Sequence, residues 1–147
     1  MRIIIGSDHA GFDQKEIIRK RLVEQGHAVT DAGTYDTESV DYPDFARNVG
    51  LAVAGGDAEF GVLVCGTGVG MAIAANKVKG VRAANVTDPE FARLAREHNN
   101  ANVITVSGRF VSTQKNTEIV DAFLSTPFLG GRHQGRIDKI SAMERCD

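Results

Sequence analysis

The chain has 147 residues, of which 42% are hydrophobic and 24% charged, and its formal net charge is −2. This length and composition predict one globular domain, residues 1–147, built around a single core. The charge balance and the lack of a Lys/Arg block exclude the electrostatic footprint of a nucleic-acid-binding protein. The apolar runs are too short to cross a bilayer, so no membrane partner is expected.

The two cysteines, Cys65 and Cys146, do not suggest a disulfide framework, because one ends an apolar run and the other lies in the tail. The N-terminal stretch MRIIIGSDHAG is too short in apolar residues for a secretory signal. We therefore expect a reducing, cytoplasmic setting, with Cys146 an inert tail residue.

Short β-like runs alternate with amphipathic helices along the chain. The predicted strands cover residues 2–5, 27–30, 59–64, 80–86 and 102–107. The predicted helices cover residues 12–25, 43–54, 70–76, 89–98 and 112–124, with a last helix from about 136. This alternation predicts an α/β, three-layer fold in which a five-stranded parallel sheet carries helices on both faces.

The tail from residue 130 differs from the rest of the chain. Its stretch GGRHQGRIDKI is glycine-rich and cationic, and it follows the last helix that such a sheet requires. We expect residues 130–147 to reach across to a partner subunit.

Ligands of an open parallel sheet collect beyond the carboxyl ends of its strands. This rule selects the loops at residues 6–11, 65–70, 85–88 and 107–110. The second of these loops is CGTGVG, in which a cysteine precedes three glycines.

Five interpretations of CGTGVGM compete, four functional and one structural. A Walker loop would need a Lys–Ser/Thr ending, which is missing, and a dinucleotide fingerprint would need G-x-G-x-x-G, although Asp88 follows about twenty residues later. A cysteine-phosphatase loop would need an Arg where Met71 stands. The remaining structural interpretation is a glycine turn below a buried core cysteine, Cys65.

The interpretation that fits the chemistry best is a nest of backbone N–H groups. Glycines let successive N–H groups converge, and the positive end of the following helix reinforces them. Such a nest stabilises an oxyanion that forms during a reaction, and its field favours the thiolate of Cys65. A base beside an oxyanion hole can remove a proton α to a carbonyl, with Thr67 bonding a substrate oxygen.

Other polar residues allow a chemical and a structural interpretation. Asp8 and His9 could contact sugar hydroxyls or phosphate, or serve as an N-capping Asp and a turn His. His98 and Asn99 could act on hydroxyl groups, or end a helix.

The arginines Arg109, Arg132 and Arg136 suit phosphate, because the guanidinium pairs with two oxygens, although each could be a solvated surface residue. No metal site is evident, since Cys65 has no partner at ligand spacing and the four histidines form no short-range cluster.

The motifs SDHAGF, DYPDFA, CGTGVGMAIAANK, GVRAA, REHNNANV, GR and GGRHQGRI occur in this order. Together they resemble the ribose-5-phosphate isomerase B family, which includes allose- and galactose-6-phosphate isomerases, over nearly the whole chain. The resemblance implies a Rossmann-like fold that forms a homodimer or homotetramer with active sites at subunit interfaces. It implies interconversion of ribose 5-phosphate and ribulose 5-phosphate, in the pentose phosphate pathway, without metal or organic cofactor.

The resemblance also implies roles for individual residues. Cys65 would be the base that moves a proton between carbons 1 and 2, and His98 would assist ring opening. The absence of a Glu at Met71 places the chain with the cysteine-base branch. The implied binding residues are Asp8, Thr67 and Asn99 for hydroxyls, the N–H groups of Gly66, Thr67, Gly68, Val69 and Gly70 for the enediolate, and His9, Arg109, Arg132 and Arg136 for the phosphate.

Other functions stay open from the sequence. A six-carbon phosphate such as allose 6-phosphate would need only a roomier pocket. A non-catalytic sugar-phosphate or nucleotide-binding module, including an NAD-binding one, would need the glycines but not a thiolate at Cys65.

Overall fold

The computed structural model describes residues 1–145, so that Cys146 lies outside the described residues. Within that part of the chain, strands and helices alternate as predicted. The elements are β1 (Arg2–Ser7), α1 (Phe12–Glu24), β2 (Ala28–Asp31), α2 (Tyr42–Ala54), β3 (Phe60–Cys65), α3 (Val69–Ala75), β4 (Ala83–Asn85), α4 (Pro89–Asn99), β5 (Val103–Ser107), α5 (Thr113–Ser125) and α6 (Gln134–Met143), the last preceded by a 3-10 turn at Gly131–His133.

The five strands form one parallel sheet in the order β2-β1-β3-β5-β4. The chain first winds from β1 outward to β2 and then returns to the other side of β1, so β1 and β3 flank the point where the winding reverses. Crevices at such a point, beyond the carboxyl ends of the strands, are where open sheets bind ligands. The predicted three-layer α/β fold is confirmed.

Each face of the sheet carries its own hydrophobic core. Because side chains alternate along a strand, Val62 and Val64 of β3 pack toward α1, α4 and α5, while Leu63 and Cys65 pack toward α2 and α3. The side chain of Cys65 therefore belongs to the face on which α3 lies.

Several predicted boundaries were wrong by a few residues. The fourth strand is limited to Ala83–Asn85, because Gly80 adopts φ +89° and the Arg82 N–H donates to Asn102 Oδ1 instead of extending the ladder. The third strand continues one residue further than predicted, to Cys65, and the last helix begins at Gln134. Among residues 1–145, the structure has no helix with both the length and the apolarity to span a membrane.

Candidate active site

The loop after β3 brings a backbone N–H onto a cysteine sulfur. Cys65 is 5% exposed, and its Sγ accepts a hydrogen bond from the Gly68 N–H at 3.1 Å. Gly68 adopts φ +82°, and a Cβ at this position would lie 2.3 Å from Asn85 Oδ1, so only glycine fits. This hydrogen bond holds the sulfur against the glycine loop.

The N–H groups of this loop are only partly free. The Val69 N–H donates to Thr67 Oγ1 at 3.2 Å, and the Gly68 N–H donates to the Cys65 sulfur. Within residues 1–145, the N–H groups of Gly66, Thr67 and Gly70 donate to no protein acceptor. The donors open to an anion are therefore a subset of those expected from the sequence.

Asp8 and His9 follow β1 at the same edge of the sheet. Asp8 is 7% exposed, and its Oδ1 accepts from the Gly11 N–H at 3.0 Å, which closes a turn. The alternative interpretation of Asp8 as a helix N-cap was wrong, because the N-cap of α1 is Gly11 and no side chain caps this helix. His9 Nδ1 accepts from the Val40 N–H at 3.2 Å, so the neutral ring carries its proton on Nε2, where it can donate to a ligand.

Two side chains lie against glycines of the loop. A Cβ on Gly66 would come within 3.3 Å of Arg109 Nη1, and one on Gly70 within 2.7 Å of the Tyr42 ring. Arg109 thus lies at the same edge as Cys65. Sequence reasoning missed Tyr42, for which the only signal was its place in DYPDFA, immediately before the helix-opening proline.

A second cluster lies where α4 ends and the tail returns. The rings of His98 and His133 stack with centroids 4.4 Å apart and planes 17° from parallel. The Leu129 N–H donates to Glu97 O at 3.2 Å, which brings the tail past the end of α4.

His133 had no assigned role from the sequence. Burial lowers its pKa below the ordinary value, and the nearby charges of His98, Arg132 and Arg136 lower it further. An anion bound among these groups would relieve that repulsion, so the cluster is electrostatically suited to a phosphate.

The two clusters lie at opposite edges of the sheet. Cys65 pairs with Ser107 at the carboxyl end of β5, whereas His98 precedes the start of β5 at Val103. Five strand residues span roughly 13 Å, so one chain does not bring Cys65 and His98 together. The carboxyl edge carries Asp8, His9, Cys65, Gly66, Thr67, Gly68, Val69, Gly70 and Arg109; the amino edge carries His98, Asn99, Arg132 and Arg136.

A depression of about 450 Å³ adjoins the second cluster, between α6 and β4. Asn99 and Arg82 line it, together with Ile140 and Met143 of α6, which are 42% and 81% exposed. Within the described residues, no group of three or more His, Cys, Asp or Glu side chains is placed to hold a metal ion.

The chain matches the family model Ribose/Galactose Isomerase over residues 3–140, and it belongs to that family. It is 47% identical over 144 residues to ribose-5-phosphate isomerase B of Escherichia coli, covering 98% of this chain and 97% of the relative.

Two solved structures extend the comparison. Ribose-5-phosphate isomerase B of Clostridium thermocellum superposes with a TM-score of 0.97 at 47% identity, covering 98% of this chain and 97% of that one. The enzyme of Mycoplasma genitalium, solved with bound ribulose 5-phosphate, superposes with a TM-score of 0.93 at 50% identity, covering 97% and 95%.

Proposed function

We propose that this protein is an aldose–ketose isomerase that interconverts ribose 5-phosphate and ribulose 5-phosphate by proton transfer through an enediolate. The observation that carries the proposal is the Cys65 sulfur, held by the Gly68 N–H next to a loop with unengaged N–H groups. The relatives named ribose-5-phosphate isomerase B, one of them with ribulose 5-phosphate bound, support this choice of substrate. The corresponding setting is the pentose phosphate pathway in the cytoplasm.

The chemical step needs one base and one anion-stabilising loop. The Cys65 thiolate takes the proton from carbon 2 of the aldose, and the electron pair moves to form an enediolate. The Gly66, Thr67 and Gly70 N–H groups stabilise its oxygen. The hydroxyl proton of oxygen 2 passes to oxygen 1, and the thiol returns a proton to carbon 1, which yields the ketose and regenerates the thiolate. Met71 is fully buried in the α2/α3 core, and its thioether cannot act as a base, so the chain fits the cysteine-base branch.

The remaining roles require a second copy of the chain. Closed point-group symmetry lets the amino edge of one protomer face the carboxyl edge of its partner, giving equivalent shared sites. His98 would then assist opening of the furanose ring while Asn99 and the partner's Asp8 position hydroxyls. His9, Arg109, Arg132 and Arg136 would surround the phosphate. The apolar side chains beside the α6 depression, Ile140 and Met143, favour a covered surface here, in a homodimer or homotetramer.

The direct test is to incubate the protein with ribose 5-phosphate and with allose 6-phosphate in EDTA and to compare kcat/KM. We expect ketose formation from ribose 5-phosphate at the higher kcat/KM. A higher value for the six-carbon phosphate would make the protein a hexose-phosphate isomerase. Sugar-phosphate binding without turnover of either would contradict an isomerase and favour a binding module.

Arg136→Ala is expected to raise KM for ribose 5-phosphate roughly tenfold or more, with a smaller change in kcat. Phosphate contacts are shared by ground and transition states, so their loss weakens binding more than catalysis. Lys139→Ala is the matched control, because it removes the same charge from the exposed surface of the same helix. Equal KM values for the two variants would contradict a phosphate role for Arg136.

A further inference from the structure

Two hydroxyl groups of β5 donate to carbonyl oxygens of the glycine loop. Thr105 Oγ1 donates to Gly68 O at 2.9 Å, with Asn85 Oδ1 at 3.1 Å as the second acceptor within reach of the same proton. Ser107 Oγ donates to Gly66 O at 2.7 Å. The two residues are 0% and 2% exposed. Because residues two apart in a strand share a face, both hydroxyls point to the face that carries α3.

These contacts control where the N–H groups of the loop point. The C=O and N–H of a peptide unit lie in one plane and point in opposite directions. Fixing the Gly66 carbonyl therefore fixes the Thr67 N–H, and fixing the Gly68 carbonyl fixes the Val69 N–H. The peptide between them carries the Gly68 N–H that meets the Cys65 sulfur.

The Gly66 carbonyl receives a second donor, the Arg109 N–H at 3.1 Å. Ser107 Oγ in turn accepts from the Phe110 N–H at 3.0 Å, which leaves its proton for Gly66. Donors on a carbonyl also polarise the N–H of the same peptide unit, since hydrogen bonds in a chain strengthen one another. The Thr67 N–H is thus both oriented and strengthened.

The turn behind the two hydroxyls is itself held by buried amides. Asn116, fully buried, donates through Nδ2 to Ser107 O at 2.8 Å and to Gln14 Oε1 at 2.6 Å. Gln14 Nε2 donates to Gly108 O at 3.0 Å and to Val111 O at 2.9 Å. Helices α1 and α5 therefore anchor the end of β5 from the opposite face of the sheet.

We propose that Thr105 and Ser107 are positioning residues of the active site, whose hydroxyls hold the Gly68 and Gly66 carbonyls. Ser107 thereby directs the Thr67 N–H to the enediolate, and the two held peptides together keep the Gly68 N–H between them on the Cys65 sulfur. The proposal rests on the proposed function for its catalytic consequence. Its structural consequence, the fixed donor on sulfur, does not depend on the identity of the substrate.

The kinetic test compares Thr105→Val and Ser107→Ala with Thr105→Ser, which keeps the hydroxyl. Loss of a direct oxyanion donor lowers kcat by about 10²–10³-fold. Loss of a hydroxyl that only orients such a donor should lower kcat by less. We expect kcat to fall roughly tenfold in each of the first two variants, with KM within about twofold, because the donors act on the transition state. Thr105→Ser should stay near wild type.

A fall in kcat without rescue in Thr105→Ser would overturn the role of Thr105, and unchanged kcat in Ser107→Ala would overturn that of Ser107. A rise in KM alone would overturn both. Thermal melts identify variants that fail to fold. If Thr105→Val does not fold, Ser107→Ala still decides the proposal.

The second arm needs no turnover. In the full-length chain with Cys146→Ser, Cys65 is the one remaining cysteine, so iodoacetamide alkylation reports on Cys65 alone. The alkylation rate is measured as a function of pH. We expect the midpoint of the rate profile to move to higher pH in Thr105→Val and in Ser107→Ala, because the Gly68 N–H no longer holds the thiolate firmly. An unchanged profile would overturn the proposal. If the pH profile of alkylation shifts but the wild-type protein does not isomerise ribose 5-phosphate, only the proposed function is rejected.

Discussion

Replacing Cys65 with Ala is expected to lower kcat for ribose 5-phosphate by roughly 10²–10⁴-fold, the usual contribution of a positioned base. Sulfur is the only atom lost, and it lies against the α2/α3 core at the end of β3. The variant should therefore fold, and it should bind ribose 5-phosphate with little change. Ketose formation, thermal melting and calorimetric binding measure these three properties.

Two companion variants sharpen that result. Cys65→Ser keeps the size of the side chain but replaces the thiol with a hydroxyl that does not ionise near neutral pH, so it should be as inactive as Cys65→Ala. Cys146→Ser removes the other thiol and should retain full activity. Substantial turnover in Cys65→Ala would reject the proposed base, whereas loss of binding as well as turnover would indicate a structural role.

His98→Asn is expected to lower the rate of ribose 5-phosphate isomerisation by roughly 10²-fold, because general acid–base help in opening the furanose ring is lost. The chemistry offers a way to separate ring opening from enolisation. Ribulose 5-phosphate has no free hydroxyl placed to close a furanose ring, so it reaches the base already open. In heavy water, His98→Asn should still exchange the carbon 1 proton of ribulose 5-phosphate for deuterium.

Cys65→Ala is the matched comparison for that exchange, and it should show none. If His98→Asn also loses the exchange, His98 takes part in enolisation itself and the assignment to ring opening is wrong. The His98–His133 stack makes a fold check necessary, and thermal melting of the variant provides it.

The sequence predicted the architecture well, because the fold depends on local signals. Alternating apolar runs and helix-stop glycines indicated the parallel sheet, and the strand-end rule selected the loop that starts at Cys65. The side chain of Asp88 accepts from the Glu90 N–H and so caps the start of α4.

What the sequence did not predict depends on contacts between distant segments. Tyr42 lies on Gly70, and His133 stacks on His98, although 28 and 35 positions separate the partners. Thr105 and Ser107 lie in a segment whose sequence predicts a strand but gives no sign that their hydroxyls contact the glycine loop. The order β2-β1-β3-β5-β4 was likewise hidden, since pattern alone does not place β5 between β3 and β4.

The division of the site between two edges of the sheet is the central claim, and subunit mixing tests it most directly. Cys65→Ala and His98→Asn chains are co-refolded in equal amounts and assayed with ribose 5-phosphate. If each site combines Cys65 of one copy with His98 of its partner, random dimers place one intact site in about half of the molecules. Activity should then recover to about a quarter of wild type.

The matched control mixes Cys65→Ala with the double variant Cys65→Ala/His98→Asn, which restores no intact site and should stay inactive. Recovery in the first mixture but not in the second is the result that a shared site requires. Differential tagging verifies that mixed oligomers have formed. If they have formed and the mixture is as inactive as its two parents, the shared site is contradicted.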